Sequence, residues 1–187
     1  MALNIKIDFE DCYPIRSLSQ DSLLTTFDTT LKNGNIIPIG VTISDEPHPL
    51  IPNVYNLGFG PLDPNNQIDD KIKLCHEDHS KLFSTIVLTG MSFPENNSDK
   101  FLGIDGSNNA RAYMYYRCLQ NNYDYLRQYL NIYGVNYYVR ILRKLKDNDS
   151  QVSFDDGDII AMPQVINKST QIRHEKLYNY LIFNLIQ

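Results

Sequence analysis

The chain has 187 residues, 42% hydrophobic and 21% charged, which suits one globular domain and excludes a chain disordered throughout. Its formal net charge of −5 opposes a phosphate backbone over the molecule as a whole, so no global nucleic-acid footprint is expected. Cys12, Cys75 and Cys118 share no close spacing and cannot make a complete disulfide framework. With charges where a signal peptide needs its apolar core, and no apolar run long enough for a bilayer, a cytoplasmic, non-membrane protein is expected.

Ile5, Ile7 and Phe9 alternate with Lys6 and Asp8, predicting an opening strand. Leu18, Leu23, Leu24 and Phe27 suit a short helix, and Asn33-Gly34 is a turn signal. Ile36 to Ile43 reads as a strand edged by Pro38. The prolines of 46–52 predict a stiff extended loop. Val54 to Gly60 reads as a strand, 61–66 as a turn, and Gln67 to Leu74 as the return strand of a long-loop hairpin. Asp78 or Ser80 caps a helix carrying Leu82, Phe83, Ile86, Val87 and Met91, with a stop near Pro94.

Phe101 to Ile104 is a short strand. A helix opens at Gly106-Ser107 and runs to about Gln120, and another covers about Tyr123 to Tyr133. Tyr137 to Lys146 and Ile159 to Val165 alternate as strands around the turn Asp147-Asn148-Asp149. Ser169 or Thr170 caps a C-terminal helix over 170–187 that is apolar almost all round. The order predicts a single α+β domain over 1–187, a mixed, mostly antiparallel β-sheet packed with about four helices. A three-layer parallel fold is the alternative.

The segment from Phe101 to Arg117 carries the strongest chemical signal. A strand, a tight turn and a helix start expose backbone donors at Gly106, Ser107, Asn108 and Asn109, where an anion can sit. Arg111 adds a bidentate grip and falls beside Tyr115 and Cys118, with Arg117 on the opposite side. The plainer reading caps the helix with Ser107 and pairs Arg111 with Asp69, Asp70 or Asp105. Asp69 and Asp70 are acidic candidates for a hard cation or a general base, though a solvated pair is the plainer reading.

In the cluster of Cys75, His76 and His79, Cys75 and His79 sit four apart, and with His48 as a possible third ligand they invite a zinc reading, but they straddle a strand-to-helix change and no metal is assigned. Asp155 to Asp158 lacks the calcium-loop pattern and reads as a turn. Arg140, Arg143, Lys144 and Lys146 form a basic surface, solvated or facing an acidic partner or bases. No nucleophile elbow, phosphate loop or dinucleotide fingerprint appears, and no catalytic residue or cofactor is assigned.

Three segments occur in a familiar order: Tyr55 to Asp63 (YNLGFGPLD), Ile68 to Asp70 (IDD), and Gly106 to Arg111 (GSNNAR) with Tyr115 and Arg117. Over residues 54–137 the chain resembles an uncharacterised bacterial domain-of-unknown-function family. Its pattern is YNLAFGD-L-D, then IDD, then a KVLATV-like helix (Lys81 to Val87 here), then GST-x-x-R-T-R-LY-R. The chain departs from it at Pro61 (family Asp), Cys75 to Asp78 (family Asn-Asn-Gly-Asp), Asn108 (family Thr) and Tyr113 (family Arg). If those family residues form a polar site, this chain has lost it. The resemblance brings no activity. It implies a small bacterial, non-secreted protein of accessory genes, with toxin–antitoxin or phage-defence modules as the setting.

Thirteen tyrosines suit half-buried sheet positions and partner surfaces alike. With the apolar C-terminal helix, they make a protein-interaction module the leading expectation, its partner a protein or a second copy docked through that helix. One alternative is an enzyme or sensor binding a phosphorylated small molecule at Gly106 to Arg111. The other is a weak nucleic-acid binder through Arg140 to Lys146.

Overall fold

A computed structural model describes residues 4–63, 65, 67–69, 72, 74–106, 109–141, 154–168, 177–178 and 180–186. Eight strands and three helices lie among them. The strands are β1 (Ile15–Leu18), β2 (Leu24–Thr30), β3 (Ile36–Pro47), β4 (Val54–Pro61), β5 (Phe101–Asp105), β6 (Leu130–Ile141), β7 (Phe154–Val165) and β8 (Tyr180–Leu185). The helices are α1 (His79–Asn96), α2 (Asn109–Asn121) and α3 (Tyr123–Leu126). The strands make one mixed sheet in the order β1-β2-β3-β4-β5-β8-β6-β7. Every pairing is antiparallel except β4 with β5, which α1 connects as a crossover. The α+β class stands; the helix count is three among the described residues, not about four. None of these helices is long and apolar enough to cross a membrane.

The expected C-terminal helix is corrected to a strand over Tyr180–Leu185, set between β5 and β6. Its all-round apolar character comes from burial of both faces. Leu181 and Phe183 join the main core, while Tyr180 and Ile182 join a second cluster with Ile51, Val54 and Val135. A docking contact through a C-terminal helix is therefore corrected for 180–185. Residues 180–183 are buried within the chain, so this stretch offers no exposed helical face.

The helix expected around Leu18 to Phe27 is corrected to β1 and β2. Thr25, Thr26, Thr29 and Thr30 supply the β-branched density that overrides an accidental helical spacing. The helix expected over 123–133 ends at Leu126, because Ile132, Tyr133, Val135 and Tyr137 go into β6. Gln67 to Leu74 is not a strand in its described residues; one isolated bridge, Leu62 to Ile68, is what remains of that hairpin.

The opening segment is extended but joins no strand. Ile5 and Ile7 are buried, and side chains of the helical layer satisfy the backbone between them. Ser80 Oγ accepts from the Lys6 amide at 3.0 Å, Asn122 Oδ1 from Ile7 at 2.7 Å and Ser84 Oγ from Asp8 at 2.9 Å. Asn122 Nδ2 returns a bond to the Ile5 carbonyl at 2.8 Å.

Helix α1 begins where Asp78 accepts from the Lys81 amide at 2.9 Å, as expected of a cap. Its apolar stripe of Leu82, Phe83, Ile86 and Phe93 packs on Leu57, Leu102, Leu181 and Phe183, so one sheet face lies under helices. The second cluster, on the other face, contains no residue of α1, α2 or α3.

Candidate functional site

The parallel ladder between β4 and β5 has three partners only: Val54 with Phe101, Tyr55 with Leu102 and Asn56 with Gly103. Beyond Asn56, β4 stays paired to β3 as far as Pro61, and β5 stays paired to β8 as far as Asp105. The sheet therefore forks at the carboxyl ends of its two parallel strands, the place where open α/β sheets admit ligands. A cleft of about 460 Å³ enters this fork. Asn56 and Gly58 line it from β4, Asp105 from β5, Tyr137 from β6, Tyr180 from β8, and Arg111 from α2, with His48 arching in from the β3–β4 loop.

Close backbone approach shapes the walls. A methyl group on Gly103 would lie 2.2 Å from Tyr180 Oη, so the tyrosine ring rests directly on the β5 backbone. A methyl on Gly106 would lie 2.5 Å from Ala112 Cα, so the turn after Asp105 is pressed against α2, which brings Arg111 back over the fork.

The polar groups form linked pairs. Tyr180 donates to Asn56 Oδ1 at 3.3 Å. His48 Nδ1 accepts from the Leu50 amide at 3.1 Å, which places the ring proton on Nε2, and Nε2 donates to Tyr137 Oη at 3.2 Å. Accepting there, Tyr137 Oη keeps its own proton to donate. Desolvation pushes the His48 pKa down, with Asp105 opposing it, and pushes the Asp105 carboxyl up, with His48 opposing that. Tyr137 and Tyr180 are both raised, chiefly by burial, so both remain hydroxyl donors. His48 is thus a neutral donor with its second nitrogen occupied by backbone, unsuited to taking up a proton. Among the described residues lining the cleft, Arg111 is the cation, and Glu46 and Asp105 are the carboxylates.

Of the residues the sequence singled out, Arg111 and Gly106 stand at the fork, with Asn109 exposed at the first position of α2. Ser107, Asn108, Asp70, Arg143, Lys144 and Lys146 lie outside the described residues, as does the side chain of Arg140. Asp69 lines a separate hollow with His76 and His79, which Arg111 also borders. His48 is in the other cleft, so it does not join those two histidines. Among the described residues no three His, Cys, Asp or Glu side chains converge as a metal site would require.

Sequence reasoning passed over Asn56, Tyr137 and Tyr180, and took His48 only as a metal ligand and Asp105 only as a partner for Arg111. They come from five separate segments, and Tyr180 was hidden by the helical reading of its strand. The one local signal was the pair of glycines flanking Asp105.

A family model described as a family of unknown function (DUF6934) matches residues 10–154. No curated protein and no solved structure matches the chain.

Proposed function

The chain belongs to this family of unknown function, and we propose from the geometry that it binds a small polar molecule, carrying an anionic group, in the cleft at the sheet fork. The observation that carries this reading is the convergence of Arg111, Asp105, Asn56, Tyr137 and Tyr180 from five elements on one 460 Å³ cleft. Arg111 supplies charge and a planar fork of donors for a phosphate or carboxylate. Its five N–H groups allow it to keep a protein partner while meeting a ligand. Tyr137 donates and Asp105 accepts, so hydroxyl or amino groups beside the anion are matched.

Binding rather than histidine-driven acid–base chemistry is the better supported activity, because desolvation lowers the His48 pKa and its Nδ1 accepts from the Leu50 amide. If a proton is moved, Asp105 is the group placed to move it, its pKa raised by desolvation.

The test is a thermal-shift screen of phosphorylated sugars and nucleotides against uncharged analogues. Phosphorylated compounds should raise Tm, and the shift should vanish in Arg111→Gln and shrink in Tyr137→Phe, both variants keeping wild-type circular dichroism. A shift that survives Arg111→Gln, or stabilisation by uncharged analogues alone, overturns the reading.

A protein-interaction role draws on a different surface, the outer face of β6 and β7. Tyr138, Ile160 and Met162 stand 49%, 53% and 48% exposed there. A stoichiometric complex abolished by Ile160→Asp is the result that reading requires.

A further inference from the structure

We infer that the ligand is two-ended, with a phosphate-type bridge at its middle held by Arg111 and one hydroxyl- or amino-bearing end on each side of the fork. This rests on the cleft reading above and extends it to ligand class. The observation behind it is a second hollow, about 400 Å³ against 460 Å³ for the first, lined by Gly60, Asp69, His76, His79 and Met114. Phe59, Arg111 and Tyr115 line both hollows. Arg111 and Tyr115 are one turn apart on α2, so that face of the helix borders two chambers of similar size.

The charges alternate across that face. Glu46 and Asp105 line the first chamber, Arg111 lines both, and Asp69 lines the second. A molecule anionic from end to end would meet a carboxylate in each chamber. A molecule with an anionic bridge and sugar hydroxyls or exocyclic amines at both ends meets the complementary group at all three places.

Each chamber also presents flat surfaces for a ring. The first has His48 and Tyr137, ring centroids 6.2 Å apart and 20° from parallel. The second has His76 and His79, centroids 5.8 Å apart and 84° from parallel, so that one ring meets the edge of the other, with Phe59 and Tyr115 also lining the hollow. Burial lowers the pKa of both second-chamber imidazoles; His76 is buried, and the half-buried His79 is the ring nearer the opening. A diphosphate-bridged dinucleotide has this layout: a ring and hydroxyls at either end, and the anion between.

The experiment is titration calorimetry of the full chain at one fixed salt concentration. The probes are three diphosphate-bridged dinucleotides that differ in base, and their mononucleotide halves. At least one dinucleotide should bind more than tenfold tighter than either half, because its second end binds intramolecularly. Asp69→Asn and His79→Ala should each cut that advantage below threefold, with circular dichroism and Tm confirming that the variants fold. The wild-type comparison stands even where a variant does not fold. Halves that bind as tightly as the dinucleotides overturn the two-ended ligand while leaving the single-cleft reading intact. Silence from all probes also overturns it; the cleft reading falls as well only if the wider phosphorylated screen is silent too.

Discussion

Replacing Gly103 by alanine puts a methyl group where the Tyr180 ring lies, with Oη at 2.2 Å and Cε1 and Cζ at 2.3 Å. The backbone is not the obstacle, since Gly34 is the glycine with a positive φ among those described. The ring is the obstacle, because Tyr180 is only 4% exposed and has little room to retreat. Overpacking of this kind costs about 1–3 kcal/mol. Displacing the hydroxyl from Asn56 Oδ1 at 3.3 Å adds about 0.5–1.5 kcal/mol. For a domain of this size a loss of about 3 kcal/mol lowers Tm by roughly 6–12 °C.

The assay is urea unfolding of Gly103→Ala, Tyr180→Ala and the double variant. Tyr180→Ala alone should cost about 3–5 kcal/mol for the large cavity it leaves. In that background the three atoms nearest the alanine methyl are gone and the cost at 103 should fall to near zero, so the two changes are strongly coupled. Tyr180→Phe, which keeps the ring and removes only the hydroxyl, should cost about 0.5–1.5 kcal/mol. A neutral Gly103→Ala in the wild-type background, or additive costs in the double variant, would refute the packing of Tyr180 on β5.

Asn122→Ala removes the bonds to the Ile7 amide and to the Ile5 and Cys118 carbonyls and should cost about 2–4 kcal/mol, with amide exchange accelerating first at Ile7. Slow exchange retained at Ile7 would show that another group holds the segment. Cys75 is exposed, whereas burial pushes the Cys118 thiol up to about 12, so a thiol reagent at pH 8 should modify Cys75 first and Cys118 only after unfolding. His48, His76 and His79 all have folded pKa values below the ordinary 6.5, so the unfolded chain binds more protons as pH falls through that value. Stability is then full above pH 6.5 and declines below it toward the folded values, and His76→Gln should flatten the slope of Tm against pH between 6.5 and 5. A slope that the substitution leaves unchanged would exclude His76 from the effect.

The sequence carried α1 and β5 almost to the residue, because each has a clear local cause. Asp78 caps α1, the stripe from Leu82 to Met91 has one period, and Phe101 to Ile104 is a short apolar run between turn residues. It misled where two periods overlapped or where both faces of an element were buried. Leu18, Leu23, Leu24 and Phe27 fit a helix by spacing, yet the threonines among them prefer the sheet. Tyr180 to Leu185 is apolar on every side because β8 is interior, and no single-segment pattern separates that from a buried helix. Arg111 was legible as a half-buried cation following a strand and a turn. Its companions were not, since the fork exists only where β4 stays with β3 and β5 stays with β8. That parting is a property of pairing between distant strands rather than of any local stretch.

The most direct test of the central claim is backbone amide NMR of the chain with whichever phosphorylated compound stabilises it most. Perturbations are predicted to concentrate at Gly58, Asp105, Arg111 and Tyr137, around the fork and the cleft that enters it. A map centred instead on Tyr138, Ile160 and Met162 at the outer face of β6 and β7, or spread without focus, would contradict the account.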